Sequence, residues 1–91
     1  MSTPGLLPCG VRIEVLCFAA ARDAVGEATL SLELESGACV ADARSVLVAR
    51  HPALMRAVPA LRFAVNEAFV TTDHVLQEGD TLALLPPVSG G

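Results

Sequence analysis

Lysine is absent from this chain of 91 residues. Its six cationic side chains are arginines, at positions 12, 22, 44, 50, 56 and 62, and against ten carboxylates they leave a net charge of −4. Scattered as they are, they form no basic stripe, so nucleic acid is not an expected partner. A chain without an ε-amine also offers no lysine on which copies of itself could be joined. Cys-x-x-Cys is missing too. Cys9, Cys17 and Cys39 are too few and too widely spaced for the four-thiolate ligation of an iron–sulfur cluster. His51 and His74 stand in no ligand spacing with them, so no metal site is expected. The N-terminus lacks the basic start and apolar core of a signal peptide, there is no lipidation signal, and no apolar stretch approaches the ~20 residues of a membrane-spanning helix. A cytoplasmic protein with reduced thiols, off the membrane, is the expectation.

What is present is enough for one folded domain. With 53% hydrophobic and 18% charged residues, the chain can bury a core. At this length a domain buries somewhat over ~60% of its unfolded surface, which leaves little room for an internal substrate cleft. No nucleophile or second carboxylate stands near Asp73-His74, so these read as a turn residue and a surface imidazole rather than an acid/base pair.

Residues 1–10, with Pro4, Gly5, Pro8 and Gly10, carry too many breakers for a regular element and read as a flexible leader. From Val11 to Phe18 the pattern alternates, with Val11, Ile13, Val15 and Cys17 on one side and Arg12 and Glu14 on the other, which predicts a half-buried strand. Leu30, Leu32 and Leu34 predict a second strand. Ala19 to Glu27 is expected to be the connecting loop with a helical turn, closed by Gly26. An Arg22-Asp23 pair is expected to stabilise that loop, the alternative being a contact with a partner. After Ser36-Gly37 the period changes: Val40, Ala43, Val46, Leu47 and the stem of Arg50 recur at three and four, the face of one helix. Cys39 is a poor N-cap by type, offset by Asp42 in the first turn. Pro52 limits this helix to about His51. Ala53 to Val58 predicts a second short helix ended by Pro59. Leu61, Phe63 and Val65 alternate again, Asn66-Glu67 marks a turn before Ala68 to Thr71, and Glu78-Gly79-Asp80 marks another. Thr81 to Leu85 predicts the final strand. A single amphipathic helix needs a sheet to cover it, so the expected fold is α+β, a mixed sheet of four to five strands over one main helix, with first and last strands central and parallel: a β-grasp arrangement over residues 11–85.

The remaining segment, residues 86–91, is expected to be an extended tail. Pro86 and Pro87 fix their own φ and restrict their neighbours, giving a stiff stem, whereas Gly90 and Gly91 leave the terminal carboxylate without a nearby side chain. At up to ~3.6 Å per residue the tail spans roughly 20 Å, enough to enter a deep pocket on another protein. At about 7% average glycine usage, two terminal glycines arise by chance in roughly one chain in 200, so the dipeptide alone is a moderate signal.

Ala64-Val65-Asn66 through Val70, then Asp73-His74, Leu76, Glu78-Gly79-Asp80 and the ending Leu85-Pro86-Pro87-Val88-Ser89-Gly90-Gly91 resemble the small, sulfur-carrying subunit of molybdopterin synthase. Phe18-Ala19, Arg22-Asp23 and Gly26 are similar to that family's first loop. The resemblance covers about residues 11–91 and implies a ubiquitin-like β-grasp fold. It also implies a protein that is itself a reagent. An ATP-using, ubiquitin-activating-like adenylyltransferase would adenylate the carboxylate of Gly91. A sulfur donor protein would supply the sulfur that displaces AMP and leaves a thiocarboxylate. The large synthase subunit, two carriers to a heterotetramer, would then take the tail into its own active site, where the sulfur attacks a cyclic pyranopterin phosphate during molybdenum cofactor synthesis. On this reading the chain is a non-catalytic subunit of a sulfurtransferase. It binds no cofactor permanently, ATP being used by the activating enzyme. Gly91 is the reactive centre, and Gly90, Ser89, Val88, Pro87, Pro86, Leu85 and Phe18 contact partners. Among Leu16, Phe18, Leu84 and Leu85, which cannot all share one face, some are expected to form an exposed patch.

A thiamine-pathway sulfur carrier has the same fold and Gly-Gly logic, although Pro86-Pro87-Val88-Ser89 and the extra segment from Pro52 to Pro59 favour the molybdopterin branch. A ubiquitin-like protein modifier is a third reading that the tail alone leaves open.

Overall fold

In a computed structural model that describes residues 10–86, the chain forms one mixed sheet with helices on one of its faces. The elements in order are β1 (Gly10–Cys17), α1 (Ala19–Val25), β2 (Thr29–Glu35), α2 (Val40–Arg50), two 3-10 turns (Pro52–Arg56 and Val58–Ala60), β3 (Arg62–Val65), β4 (Ala68–Val70) and β5 (Thr81–Leu85). The strand order across the sheet is β2-β1-β5-β3-β4, and β1 and β5 lie parallel at its centre. This is the expected β-grasp topology. The leader, the tail beyond Pro86 and their expected roles lie outside the described residues, except that Gly10, counted with the leader in the sequence, is the first residue of β1. A Cβ at Gly10 would stand 2.8 Å from the Leu34 carbonyl oxygen, so glycine lets β1 approach β2 where the pairing begins.

The alternation in β1 and β2 decides which side chains are covered. Ile13, Val15, Cys17, Leu32 and Leu34 turn inward and are buried; Arg12, Glu14, Ser31 and Glu33 turn outward. From β5 the core takes Leu82 and Leu84, and from β3 Phe63 and Val65. Over this layer α2 lays Val40, Ala43 and Leu47, all at 0% exposure. Arg50 is exposed, contrary to the expectation that its stem would join that face. The helix ends at His51, as Pro52 requires. At its start the Asp42 carboxylate accepts the Cys39 backbone N–H at 2.9 Å, so it binds the orphan donor directly as well as opposing the helix dipole.

Two expectations are corrected. The segment after β1 is a helix of seven residues, α1, not a loop with a helical turn, and it joins the one main helix, α2, over the sheet. Ala21 and Val25, four apart, are its buried side, and Gly26, at φ 89°, closes it with its N–H on the Arg22 carbonyl. Arg22 and Asp23 do not pair among the described residues, because neighbours on a helix point about 100° apart. The segment from Pro52 is two 3-10 turns rather than a short α-helix. Pro59 sits inside the second instead of terminating the first, and Leu54 is the one fully buried residue of the pair, with Val58 packed against the core beside it.

Candidate functional site

On the face of the sheet away from the helices, consecutive strands bring apolar side chains into a row. Leu16 of β1 pairs with Ala83 of β5, Ala83 with Ala64 of β3, and Ala64 with Phe69 of β4. Phe18 and Leu85, side by side at the C-terminal ends of the parallel central strands, extend the row toward the point where the chain leaves the sheet. Together with Asn66, Glu67 and Thr81 these residues line a shallow depression of about 570 Å³. Phe18 is 44% exposed and Phe69 65%, the largest aromatic surfaces on the described residues. An exposed apolar patch on a small domain marks an interaction surface.

The expected patch is therefore present, and the structure sorts its members. Leu16, Phe18 and Leu85 face the depression, whereas Leu84 points to the core with no exposure. Pro86 is the exposed residue that follows Leu85. Pro87, Val88, Ser89, Gly90 and Gly91 lie outside the described residues. Because β5 is held by β1 on one side and β3 on the other, the point of departure of the tail is fixed relative to Phe18 and Phe69.

Local chemistry at the rim explains the geometry. Asn66 and Glu67 form a two-residue hairpin turn at φ 51° and 73°, a pair of left-handed residues that matches the twist of β3 and β4. Glu67 is an uncommon residue there, and the turn is held from outside. Asn66 Oδ1 accepts the Thr81 N–H at 3.0 Å, its Nδ2 donates to Asp80 Oδ1 at 2.9 Å, and Asp80 Oδ2 accepts the Gln77 N–H at 2.8 Å. Asp80, 9% exposed, is the single buried charged residue among those described, and this clip satisfies it. Sequence reading marked both turns but not the bond between them, which joins positions 14 residues apart. Beside Phe69, the Arg62 guanidinium lies 5.3 Å from the ring centroid, a cation–π contact that steadies the exposed ring. Ala19, at φ 51°, turns the chain sharply from β1 into α1 just behind Phe18.

Among the described residues no group of three or more His, Cys, Asp or Glu could hold a metal ion. His74 is exposed, and Asp73 accepts a hydrogen bond from the Thr71 hydroxyl, the turn role expected of it. The Cys17 thiol is held above its ordinary pKa, first by burial and then by the negative charge of Glu27, so it is an inert core group rather than a nucleophile. No helix of the described residues is long and apolar enough to cross a membrane.

A parallel β1/β5 pair, a helix-covered face and an open apolar face beside the chain's exit define a ubiquitin-like β-grasp protein. The chain belongs to the ThiS family, whose sequence profile matches residues 15–91. It is 37% identical over 81 residues to the molybdopterin synthase sulfur carrier subunit of Arabidopsis thaliana, covering 89% of this chain and 84% of that one. To the protein of the same name in Chlamydomonas reinhardtii it is 36% identical, over 89% of this chain and all of the other. Among solved structures, SAMP1 from Haloferax volcanii superposes with a TM-score of 0.77 at 32% identity, over 88% of this chain and 99% of that chain.

Proposed function

We propose that this protein is the sulfur-carrier subunit of a molybdopterin synthase. The observation that carries the reading is the extent of the likeness. Relatives bearing that name match across nearly the whole chain, and the family match runs through the terminal Gly90-Gly91. The structure supports it by what the body offers: a rigid exit for the tail, an apolar landing face beside it, and no catalytic constellation among the described residues.

The chemistry is confined to the end of the chain. A free carboxylate is a poor electrophile. An ATP-using adenylyltransferase joins the Gly91 carboxylate to AMP with loss of pyrophosphate, and a sulfide equivalent delivered by a donor protein displaces AMP to leave a thiocarboxylate. The large subunit takes the tail into its own active site, where the thiocarboxylate sulfur attacks a cyclic pyranopterin phosphate. Gly90 and Gly91, lacking Cβ atoms, suit a narrow channel. Val88, Ser89 and the two prolines line the approach, and Leu85 and Phe18 seat against the partner's rim. The acidic balance fits a carrier whose partner binds the anionic pterin with its own basic groups.

The test is an intact-mass measurement. Incubated with its adenylyltransferase, ATP and a sulfur donor, the chain should gain the mass of one sulfur-for-oxygen exchange, and the variant lacking Gly91 should not. No gain, or an equal gain in the truncated chain, overturns the reading. Reconstitution with a large synthase subunit and cyclic pyranopterin phosphate separates the molybdopterin from the thiamine pathway. A second reading, that of a protein modifier, draws on the likeness to SAMP1, also called small archaeal modifier protein 1. Isopeptide adducts of Gly91 on lysines of other proteins would establish it. In a chain with no lysine, such adducts would be single additions rather than polymers through the chain's own side chains.

A further inference from the structure

The sheet has a second exposed feature that the sulfur-carrier reading does not use. β2 is an edge strand, seven residues long against three for β4 at the other edge, and no strand among the described residues pairs with its outer side. The ladder shows which of its backbone groups are free. Cys17 N–H donates to the Ala28 carbonyl at 2.8 Å, while Glu14 N–H and Phe18 N–H donate the other way, toward the β5 side, to Asp80 and Leu84. Alternation from that register turns the backbone of Leu30, Leu32 and Leu34 toward β1, and the N–H and C=O of Thr29, Ser31 and Glu33 outward. Next to this edge runs a cleft of about 510 Å³ between β2 and α2, with Leu34, Ala38 and Val46 on its apolar side and Glu33, Glu35 and Asp42 around it.

We propose that the outer edge of β2, with the cleft beside it, docks an extended segment of a partner protein whose residues alternate between apolar and basic. The added strand would hydrogen-bond to Thr29, Ser31 and Glu33. Because successive side chains of a strand point to opposite faces, its apolar residues would enter the cleft over Leu34 and Val46 while its basic ones meet Glu33 and Glu35 on the open face. Charge complementarity decides the occupant. A second copy of this chain would add its own Glu33 and Glu35 to the same face of the paired strands, gathering four carboxylates there, and like charges on neighbouring strands are destabilising. An acidic strand is excluded on the same ground. Arg12, 2.9 Å from Glu33, is the one cation on this stretch, and both its side chain and that of Glu33 are largely exposed. Such a pair contributes little and is easily exchanged for a partner's guanidinium. β1 lies between this edge and β5, so a partner held here leaves the tail free.

The experiment titrates the isotope-labelled full chain with an acetylated, amidated Val-Arg-Val-Arg-Val peptide and follows backbone amide shifts. Saturable shifts at Thr29, Ser31, Glu33, Ala38 and Val46, with a Kd below about 1 mM, are expected. A Val-Glu-Val-Glu-Val peptide should give none. Ser31→Pro deletes an outward N–H without touching the β1 ladder, and Glu35→Lys reverses an exposed charge. Each should weaken binding, Ser31→Pro at least tenfold, with the thermal midpoint of Glu35→Lys unchanged. Should Ser31→Pro fail to fold, Glu35→Lys alone decides. No saturable binding, equal binding of the acidic peptide, shifts centred on Leu16, Phe18 and Phe69 instead, or undiminished binding in a folded variant overturns the proposal.

Discussion

The two faces of the central sheet use the same strands and much the same residues, yet they do opposite work. Leu84 and Leu85 are neighbours in β5; one has no exposed surface, and the other lines an open depression. Cys17 and Phe18 divide in the same way at the end of β1. Under the helices, apolar area is removed from water when the chain folds, at roughly 25 cal/mol per Å². On the other face that gain is withheld until something binds. One period-two pattern therefore carries two kinds of free energy, and single substitutions should separate them.

The largest effect is expected on the covered face. Leu84→Ala should cost about 2–5 kcal/mol of unfolding free energy in urea or thermal denaturation, the range for a fully buried leucine. A cost within ~0.5 kcal/mol would erase the distinction between the faces. Next comes the clip that ties them together. Asp80→Ala leaves the Gln77 N–H and Asn66 Nδ2 without their acceptor and should cost about 1–3 kcal/mol in the same assay. Because the Asn66-Glu67 turn forms the rim of the depression, this variant should also bind a synthase large subunit more weakly. On the open face, Phe69→Glu should leave stability within about 0.5 kcal/mol. It should weaken large-subunit binding at least tenfold by calorimetry, about 1.4 kcal/mol or more. If stability falls instead, Phe69 belongs to the core in function as well as in sequence pattern.

A smaller effect concerns pH. The buried Cys17 thiol has its pKa raised, so between the ordinary thiol pKa of about 8.5 and the higher folded value the native chain holds a proton that the unfolded chain has lost. Stability from this group is fully present below that window and declines as pH rises through it. Urea midpoints from pH 7 upward should fall for the wild type, and the Cys17→Ala variant should show a shallower fall. The smallest change is expected at Arg12→Ala, which removes an ion pair with side chains 65% and 71% exposed. It should shift stability by no more than about 0.5 kcal/mol, a difference that disappears at high salt.

The pattern of what could be read from the chain follows from the same division. Strands with one covered face announce themselves by alternation, and β1, β2 and β3 were legible for that reason, whereas β5 was marked by the Glu78-Gly79-Asp80 turn before it and the two prolines after it. The burial of Ala64 in β3 was not legible from alternation, because it is covered on the open side, between Ala83 and Phe69, where small residues bring strands into close contact. α1 was obscured by composition: Ala19, Ala20, Ala21 and Ala24 favour a helix but give no apolar period, and only Ala21 and Val25 mark the buried side. Breakers misled at Pro59, which a 3-10 turn accepts near its start. The apolar patch was legible as a surplus of hydrophobic side chains on both sides of β1 and β5, although which of them were exposed depended on where α1 lies. The Asn66–Asp80 clip, and the free edge of β2, depend on pairings distant in sequence and carried no local signal.

The position of β5 has a mechanical consequence. A carrier must be withdrawn from whatever holds its end, and a tug applied beyond Pro86 is directed along a strand flanked by β1 and β3. Its hydrogen bonds run across that direction on both sides, so the load falls on all of them together in shear instead of opening them one at a time. A pull on the tail is therefore resisted by the whole β1/β5/β3 ladder at once, so a contact made on the open face would give way before the fold.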